Sequence, residues 1–437
     1  MPQFESKIAG EIKIPEDTLV DLRGKIKNIA AFRIVIERLL GEETTELAVA
    51  LLSGGILLEA SDLHIEPEVE QSKLRIRVDG ILQDVMFFDQ KIYQKLLSRI
   101  KLLSGIKMNI ADKPQDGRFS IILPNAAIEI RTSTLPAEYG ESIVLRILNP
   151  KNLIQIEDLG LREDLLEIFK REIEKPNGMI IVTGPTGSGK TTTLYAFLNK
   201  IQKPEIKIIT IEDPIEYHLA GISQTQVAPE KGYDFASGLR SIVRQDPDVI
   251  LVGEIRDLET AQIALQAALT GHLVLTTLHT NDAAGTIARL QALGEKPVNI
   301  APAINVAIAQ RLVRKVCKKC RKLILVPPAL SKKIKDILKE LPVGVKAPNL
   351  TSSFKIPQTQ AKGCQECNFT GYRGRVGIFE AFLIDDELEK FILTAPSISS
   401  LREKAVKKGM MTMHQDGVIK VLEGITTLEE VERVTGE

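Results

Sequence analysis

The stretch that decides the fold is Met179-Ile180-Ile181-Val182-Thr183-Gly184-Pro185-Thr186-Gly187-Ser188-Gly189-Lys190-Thr191. Residues 179–183 are almost wholly apolar, which is typical of a short strand buried in a parallel sheet. The strand runs directly into a glycine-rich turn, after which a helix is predicted to begin near Lys190. Further apolar strands at 206–211, 249–252 and 273–277 alternate with helical segments. This alternation predicts an α/β domain with a parallel sheet.

The turn fits the phosphate-binding pattern G-x-x-x-x-G-K-[ST] in full. Its glycines let backbone N–H groups face inward around phosphate groups. A chance glycine turn is the alternative, but the strand before it and the helix after it favour a phosphate site. We expect Lys190 to place its charge on the β- and γ-phosphates of ATP, and Thr191 to place its hydroxyl on Mg²⁺. The loop residues expected to bind nucleotide are Gly184, Pro185, Thr186, Gly187, Ser188, Gly189, Lys190, Thr191 and Thr192.

Two other apolar strands of this domain end in carboxylates. The strand at 249–252 is followed by Gly253-Glu254, and the strand at 206–211 by Glu212-Asp213. A P-loop enzyme needs a carboxylate at such a strand end to hold Mg²⁺ or to polarise the attacking water. We predict that Glu254 activates the water, that Glu212 is a further catalytic residue and that Asp213 contacts the bound cofactor. The alternative for each is a solvated carboxylate that closes a buried strand.

Two histidines flank the strand at 273–277. His279 follows it, at the edge of the sheet where ligands of α/β proteins bind, and is a candidate γ-phosphate sensor. His272 precedes it. Either histidine is alternatively a capping or fully hydrogen-bonded core residue, and for His272 the two interpretations are equally balanced.

The part of the chain before residue 150 has a different pattern. Helical stretches at 31–40 and 45–60 precede a strand at 74–78, in which apolar residues alternate with Arg75 and Arg77. Asp79-Gly80 is a hairpin turn signal, and more strands are predicted at 119–123, 128–133 and 142–148. We predict a lead-in over 1–44, an α+β domain over 45–150, an ATPase domain over 151–315, a zinc-binding element over 316–370 and a helical region over 371–437. The last helix of this helical region is predicted to begin with a capping box at Thr426-Thr427-Leu428-Glu429.

The cysteines of the chain form two C-x-x-C pairs, Cys317 with Cys320 and Cys364 with Cys367. Each pair can present two thiolates to one tetrahedral Zn²⁺. A redox pair or unligated buried thiols are the alternatives, but neither pair opens a helix in a thioredoxin-like setting. Four thiolates leave no open coordination position, so we expect a structural zinc site.

Composition limits the class of protein. Lys+Arg and Asp+Glu are both 57, so the formal net charge is +0, and aromatic residues make up only 4%. A dedicated nucleic-acid binder usually has a basic excess, so no nucleic-acid partner is expected. No apolar run is long enough to span a bilayer, and the start of the chain, residues 1–9, has no signal-peptide core. We therefore expect a cytoplasmic protein that associates with the membrane through a partner or a surface patch.

Several stretches together resemble the secretion ATPase superfamily, which drives type II secretion and type IV pilus assembly. The resemblance covers nearly everything after about residue 45. Beyond the phosphate loop it includes an Asp box ending at Glu216 and a His box ending at Ala283. The matching stretches are 61–67, 114–118, Arg131, Arg146, 183–193, 209–216, 244–257, 270–283, 409–418 and 424–427.

The resemblance implies a hexameric ring in which a PAS-like N-terminal domain is joined to a RecA-like ATPase domain, with ATP bound where they meet. It also implies that Arg131 and Arg146 act on ATP from the N-terminal domain, although surface arginines paired with Glu129 or Glu141 are the alternative. The implied partner is an inner-membrane platform protein of a secretion or pilus machine. Many family members carry an extra N-terminal docking domain, for which residues 1–44 are too few. The resemblance further supports zinc, since assembly and secretion ATPases commonly bear a tetracysteine element.

Three functions are compatible with the sequence. The leading hypothesis is an ATP-driven motor for pilus assembly or type II secretion. A RecA-like nucleic-acid translocase is the second, against which the neutral charge and the few aromatic residues argue. A zinc-bearing scaffold without enzymatic activity is the third, and the intact Lys190, Thr191 and Glu254 argue against it. The sequence leaves secretion, pilus assembly and DNA uptake undistinguished.

Overall fold

The structure is a computed structural model that describes residues 10–124, 126–342, 345, 350, 353–360 and 362–436. The chain divides into two compact units, of which the first comprises residues 1–152 and 360–373 and the second 153–359 and 374–437. Residues 1–9, for which no signal peptide is predicted, lie outside the described residues. The same holds for parts of the predicted zinc-binding element between 343 and 361 and for the terminal Glu437. The domain boundaries given above stay a prediction.

The first unit is built on a seven-stranded sheet with the order β1-β5-β6-β7-β2-β3-β4. Its strands are β1 (Glu11–Lys13), β2 (Asp62–Pro67), β3 (Gln71–Val78), β4 (Ile81–Asp89), β5 (Gln115–Leu123), β6 (Ala126–Ala137) and β7 (Gly140–Leu148). Its helices are α1 (Glu16–Lys25), α2 (Ile29–Leu39), α3 (Thr44–Leu57) and α4 (Gln90–Ser104). Residues of these helices and of the inner sheet face share one apolar core.

Alternation along β3 shows why this sheet has one buried face. Leu74 and Ile76 are fully buried, whereas Arg75 and Arg77 are partly exposed on the other face. Asp79 and Gly80 have φ of 51° and 81°, the left-handed conformation of a tight hairpin between β3 and β4. The predicted hairpin and the predicted strands at 119–123, 128–133 and 142–148 are therefore confirmed.

The second unit is built on a seven-stranded sheet with the order β10-β9-β11-β12-β8-β13-β16 and has a separate β14-β15 pair. Its strands are β8 (Gly178–Thr183), β9 (Ile208–Glu212), β10 (Ser223–Gln226), β11 (Val249–Val252), β12 (Leu273–Leu278), β13 (Ile304–Val316), β14 (Lys322–Leu325), β15 (Lys355–Gln358) and β16 (Tyr372–Leu383), the last of which begins in the first unit. Its helices are α5 (Glu163–Ile173), α6 (Lys190–Ile201), α7 (Phe235–Val243), α8 (Leu258–Leu269), α9 (Gly285–Ala292), α10 (Pro297–Ile300), α11 (Pro328–Lys339), α12 (Asp386–Leu393), α13 (Ile398–Lys407), α14 (Met413–Leu422) and α15 (Leu428–Thr435). Among the helices described, none combines the length and the apolar character needed to cross a membrane.

Strand β8 lies inside this sheet and is buried on both faces. Met179 and Ile181 belong to one apolar core, whereas Ile180 and Val182 belong to another. The strand pairs in parallel with β12 on one side and with β13 on the other. A strand covered on both faces has no polar alternation, which explains the continuous apolar run in the sequence. The predicted α/β fold with a parallel sheet is confirmed.

The predicted helical region over 371–437 is wrong at its start, because its first residues form a strand. Residues 380–383 belong to β16, and the helices begin at Asp386. Short apolar runs such as 378–383 do not distinguish a buried strand from a buried helix by periodicity. The final helix is capped by Thr427, whose side chain accepts from the Glu430 N–H, one residue later than the predicted box.

Candidate active site

The glycine-rich loop connects β8 to α6 in a conformation that only glycine tolerates at its ends. Gly184 and Gly189 have φ of 148° and 89°. A Cβ atom on Gly184 would lie 2.5 Å from the Gln310 carbonyl oxygen, and one on Gly189 would lie 2.8 Å from Gln310 Nε2. The loop therefore depends on both glycines and leads directly into the N-terminus of α6, where backbone N–H groups attract anions.

Lys190 is the first residue of α6, and its side chain folds back over the loop. Its Nζ donates hydrogen bonds to the Gly184 oxygen at 2.9 Å and to the Pro185 oxygen at 3.2 Å. Burial lowers the pKa of Lys190, and the charge of Glu254 offsets part of that effect. Thr191 and Thr192 follow on α6 and are partly exposed. The predicted phosphate-binding residues thus lie together at one end of β8.

Glu254 lies just after β11 and has two cationic or polar neighbours. Arg256 donates a hydrogen bond to Glu254 Oε1 at 2.6 Å, and His279 Nε2 lies 3.3 Å from Oε2. Burial alone would raise the pKa of Glu254, but the hydrogen bond and charge of Arg256, together with His279, lower it below its usual range. The structure therefore brings together Glu254 and His279, two residues predicted separately, and keeps the carboxylate ionised at neutral pH.

Glu212, at the end of β9, has a different environment. Its side chain is buried and accepts hydrogen bonds from the Tyr195 hydroxyl, from Thr210 Oγ1 at 2.6 Å and from Gln224 Nε2 at 3.2 Å. Burial raises its pKa, and these hydrogen bonds offset part of the effect. Asp213, the next residue, is exposed. The two acidic residues predicted at this strand end therefore face different surroundings.

A threonine pair joins the loop strand to the His279 segment. Thr183 Oγ1 donates to the Leu278 oxygen at 3.0 Å and accepts from the Thr280 N–H at 2.8 Å. These contacts hold the ends of β8 and β12 together on either side of His279. His272, at the other end of β12, has Nδ1 3.1 Å from the Ala267 oxygen of α8, which favours its capping interpretation.

Sequence reasoning missed β13 and with it Gln310. Gln310 is 2% exposed and follows the last pairing of β13 with β8, Ala309 opposite Thr183. Its Nε2 donates to the Ser188 oxygen at 2.8 Å, and its Oε1 accepts from Thr193 Oγ1 at 2.7 Å. A signal was present, since the apolar run of residues 306–309 ends in this amide as the runs of β9 and β11 end in carboxylates.

In the first unit, Arg131 of β6 lies directly opposite Arg146 of β7. The two strands are neighbours, as the prediction required, and both arginines lie on the face opposite the buried Ile130 and Leu145. Arg131 Nε lies 3.5 Å from Glu129, and Arg146 Nε donates to Asp62 Oδ1 at 3.1 Å.

The other predicted structural partner, Glu141, is engaged elsewhere, because it is buried in an ion pair with Lys101. The alternative pairing through Glu141 is therefore wrong, whereas the contact of Arg131 with Glu129 is present. An action of either arginine on ATP stays a prediction.

The four cysteines form a compact group. The sulfur atoms of Cys317, Cys320, Cys364 and Cys367 all lie within 4.8 Å of one another. Cys364 Sγ and Cys367 Sγ are 3.7 Å apart, close to the roughly 3.8 Å between two sulfurs on one tetrahedral zinc with bonds of about 2.3 Å. Backbone N–H groups of Cys364 and Gly371 point at Cys367 Sγ at 3.2 and 3.3 Å, as expected around a thiolate. This donor set fits one structural Zn²⁺.

Comparisons with known proteins find relatives that are similar over most of this chain. Type II secretion system protein E of Aeromonas hydrophila is 45% identical over 392 residues, which is 89% of this chain and 75% of that protein. The type IV pilus assembly ATPase PilB of Thermus thermophilus is 44% identical over 378 residues, which is 86% of this chain and 41% of that protein. These two relatives serve different machines, yet both are similar to this chain over most of its length.

A solved structure and a family model point the same way. The pilus retraction motor PilT, whose structure contains ADP, superposes with a TM-score of 0.59 at 26% identity, covering 89% of this chain and 96% of that chain. The model of the family described as type II/IV secretion system protein matches residues 42–433. The resemblance found in the sequence is thereby confirmed, and the chain belongs to the type II/IV secretion system protein family.

Proposed function

We propose that this chain hydrolyses ATP at loop 184–191 and uses the energy to power a type II secretion or type IV pilus assembly machine. The observation that carries the proposal is the grouping of Lys190, Glu254 and His279. They follow β8, β11 and β12, which are adjacent parallel strands whose carboxyl ends meet at one sheet edge. A phosphate-binding lysine beside an ionised carboxylate suits phosphoryl transfer to water.

Each group has a defined role in this proposal. The loop N–H groups and Lys190 hold the β- and γ-phosphates, and Thr191 is the protein ligand of Mg²⁺, which neutralises phosphate charge when bound. Glu254 orients and polarises the attacking water through its carboxylate. His279, in contact with Glu254, detects the γ-phosphate. Asp213, next to Glu212, contacts the same bound cofactor.

Family membership supports a proposal about assembly and partner. We infer that the working form is a homo-hexameric ring in the cytoplasm. The ring docks on an inner-membrane platform protein, and its hydrolysis cycle drives pilin or pseudopilin subunits into a fibre. The cysteine group binds Zn²⁺ in a structural role, since four sulfur ligands leave no open position for a substrate.

The test is phosphate release from Mg-ATP by the purified protein. Lys190→Ala removes the phosphate charge, so we expect nucleotide binding or turnover to be lost. Lys200→Ala is the matched control, because Lys200 lies on the same helix but forms an exposed ion pair with Glu157 at 3.2 Å. An inactive wild-type protein, or equal turnover by Lys190→Ala and the wild type, would contradict the proposal.

A further inference from the structure

We propose that Gln310 is a positioning residue for nucleotide binding, which sets the direction of a loop N–H group without touching the nucleotide. This inference rests on the proposed function, because it assumes that loop 184–191 binds phosphates. Gln310 lies on β13 one residue beyond the last pairing with β8, where the strand passes beside the loop. Both functional atoms of its buried amide are engaged by the loop and by the helix that follows it.

The first contact acts through the peptide that joins Ser188 to Gly189. Gln310 Nε2 donates to the Ser188 oxygen at 2.8 Å. In a trans peptide the C=O and the following N–H point in opposite directions. With the Ser188 oxygen held towards Gln310, the Gly189 N–H points away from it, into the loop. That N–H lies at the start of α6, where phosphate binding needs it.

The second contact fixes the amide itself. Thr193 Oγ1 donates to Gln310 Oε1 at 2.7 Å, and Thr193 is fully buried. This bond determines which end of the amide faces the loop, because the amide oxygen is occupied by Thr193 and only the NH₂ group is left for the Ser188 oxygen. The Gln310 main chain adds a steric limit, since its oxygen lies 2.5 Å from an ideal Cβ on Gly184. Gln310 thus contacts both ends of the loop.

The first experiment measures binding of MgADP, which needs no hydrolysis, by Gln310→Met and Gln310→Glu. Methionine keeps the length and loses both hydrogen bonds, while glutamate keeps the acceptor for Thr193 and loses the donor to Ser188. Because a buried carbonyl without a donor is costly, we expect the Kd to rise about tenfold in both variants. The KM for ATP should rise by a similar factor, while kcat changes less, because Gln310 supports phosphate binding and not the attack of water.

The matched control is Asn305→Leu on the same strand. Asn305 Nδ2 also donates to a backbone oxygen, that of Asn177 at 2.9 Å, but at the opposite end of β13. A purely structural role for strand amides would let each variant change the Kd only in proportion to its shift of Tm. The proposal instead predicts a raised Kd for Gln310→Met and a wild-type Kd for Asn305→Leu at a temperature at which both variants are folded.

A double-mutant cycle with Thr193→Val tests the contact itself. Thr193→Val should raise the Kd about threefold in the wild type and leave it unchanged in Gln310→Met, since the acceptor is already gone. Thr193→Val also provides the test if Gln310→Met does not fold. An unchanged Kd and KM in the Gln310 variants, or additive effects in the cycle, would overturn this inference. The proposed function would still stand in that case if the wild-type protein binds ADP. Failure of the wild type to bind ADP would instead overturn the proposed function.

Discussion

Two carboxyl groups at neighbouring strand ends of the second unit have pKa values that are shifted in opposite directions. Glu254 contacts Arg256 and His279, and its pKa is lowered because these neighbours outweigh the effect of burial. Glu212 is buried among uncharged donors, and its pKa is raised by burial. The sequence predicted both at strand ends but not their different surroundings, since the partners Tyr195 and Arg256 are side chains whose direction depends on the fold.

Glu430 supplies a residue-scale prediction about pH. Burial alone would raise its pKa, but hydrogen bonds from Arg433 and Arg314 lower it from 4.5 to about 2. Because the pKa of Glu430 is lowered on folding, its ionised carboxylate stabilises the fold fully above about pH 4.5. This stabilisation, about 3 kcal/mol in total, is lost as the pH falls towards 2. Glu430→Gln should therefore be less stable than the wild type near neutral pH, and the gap should close on acidification.

Urea unfolding between pH 7 and pH 3 measures that gap. Glu432→Gln is the control, because Glu432 lies on the same helix in a partly exposed ion pair with Lys333 at 3.1 Å and such pairs contribute about 0–1 kcal/mol. A wild-type advantage over Glu430→Gln that is independent of pH would show that the Glu430 charge does not stabilise α15.

At the scale of elements, local pattern predicted the strands that carry the site. β8, β11 and β12 are short apolar runs bounded by turn or polar residues, and each prediction matched the structure within a residue. β13 was missed because its first half is apolar and its second half is basic, so it shows no single period. Its second half is held by a distant partner, since Arg314 donates to Glu430 at 2.7 Å. Contacts between residues so far apart in the chain leave no local pattern.

The N-terminal lead-in shows the same limit. Residues 1–44 were expected to contain one helical stretch, yet β1 and α1 precede it. β1 forms because it pairs in parallel with β5, over a hundred residues later, with Ile12 opposite Ile121. A strand of three residues has no periodicity of its own to detect.

The cysteine group is expected to hold one metal ion. Freshly reduced protein should contain about one Zn²⁺ per chain, because four thiolates complete one tetrahedral site. Cys317→Ser or Cys364→Ser should lose the metal and destabilise residues 316–370 more than they impair nucleotide binding. Metal analysis, hydrogen exchange and ADP binding measure the three effects. Lys190→Ala is the control that should keep zinc, and absence of zinc from the wild type would contradict the assignment.

At the scale of the whole molecule, the family resemblance implies that Arg131 and Arg146 of the first unit act on ATP. Arg131 and Arg146 share one face of the first sheet, and their guanidinium groups suit γ-phosphate oxygens. We expect Arg131→Ala and Arg146→Ala each to cut turnover by orders of magnitude while the protein stays folded and still binds ATP. The measurement is steady-state hydrolysis under conditions in which the ring assembles.

Arg75→Ala is the matched control for this prediction. Arg75 also lies on the first sheet, but it pairs with Asp84 at 3.0 Å and is not part of the Arg131–Arg146 pair. Its removal should leave turnover near normal. Near-normal activity in both Arg131→Ala and Arg146→Ala would instead reduce the first unit to a docking element. The sequence indicated this arginine pair only through the family resemblance, since strand alternation gives the face but not the neighbouring strand.

We propose that Glu254 is the water-activating residue of this ATPase. The most direct measurement is ATP binding and turnover by Glu254→Gln, which keeps the shape of the side chain and loses its basicity. We expect binding like that of the wild type, with turnover reduced at least about 100-fold. Wild-type turnover in Glu254→Gln would contradict this role of Glu254 and would transfer the catalytic role to Glu212.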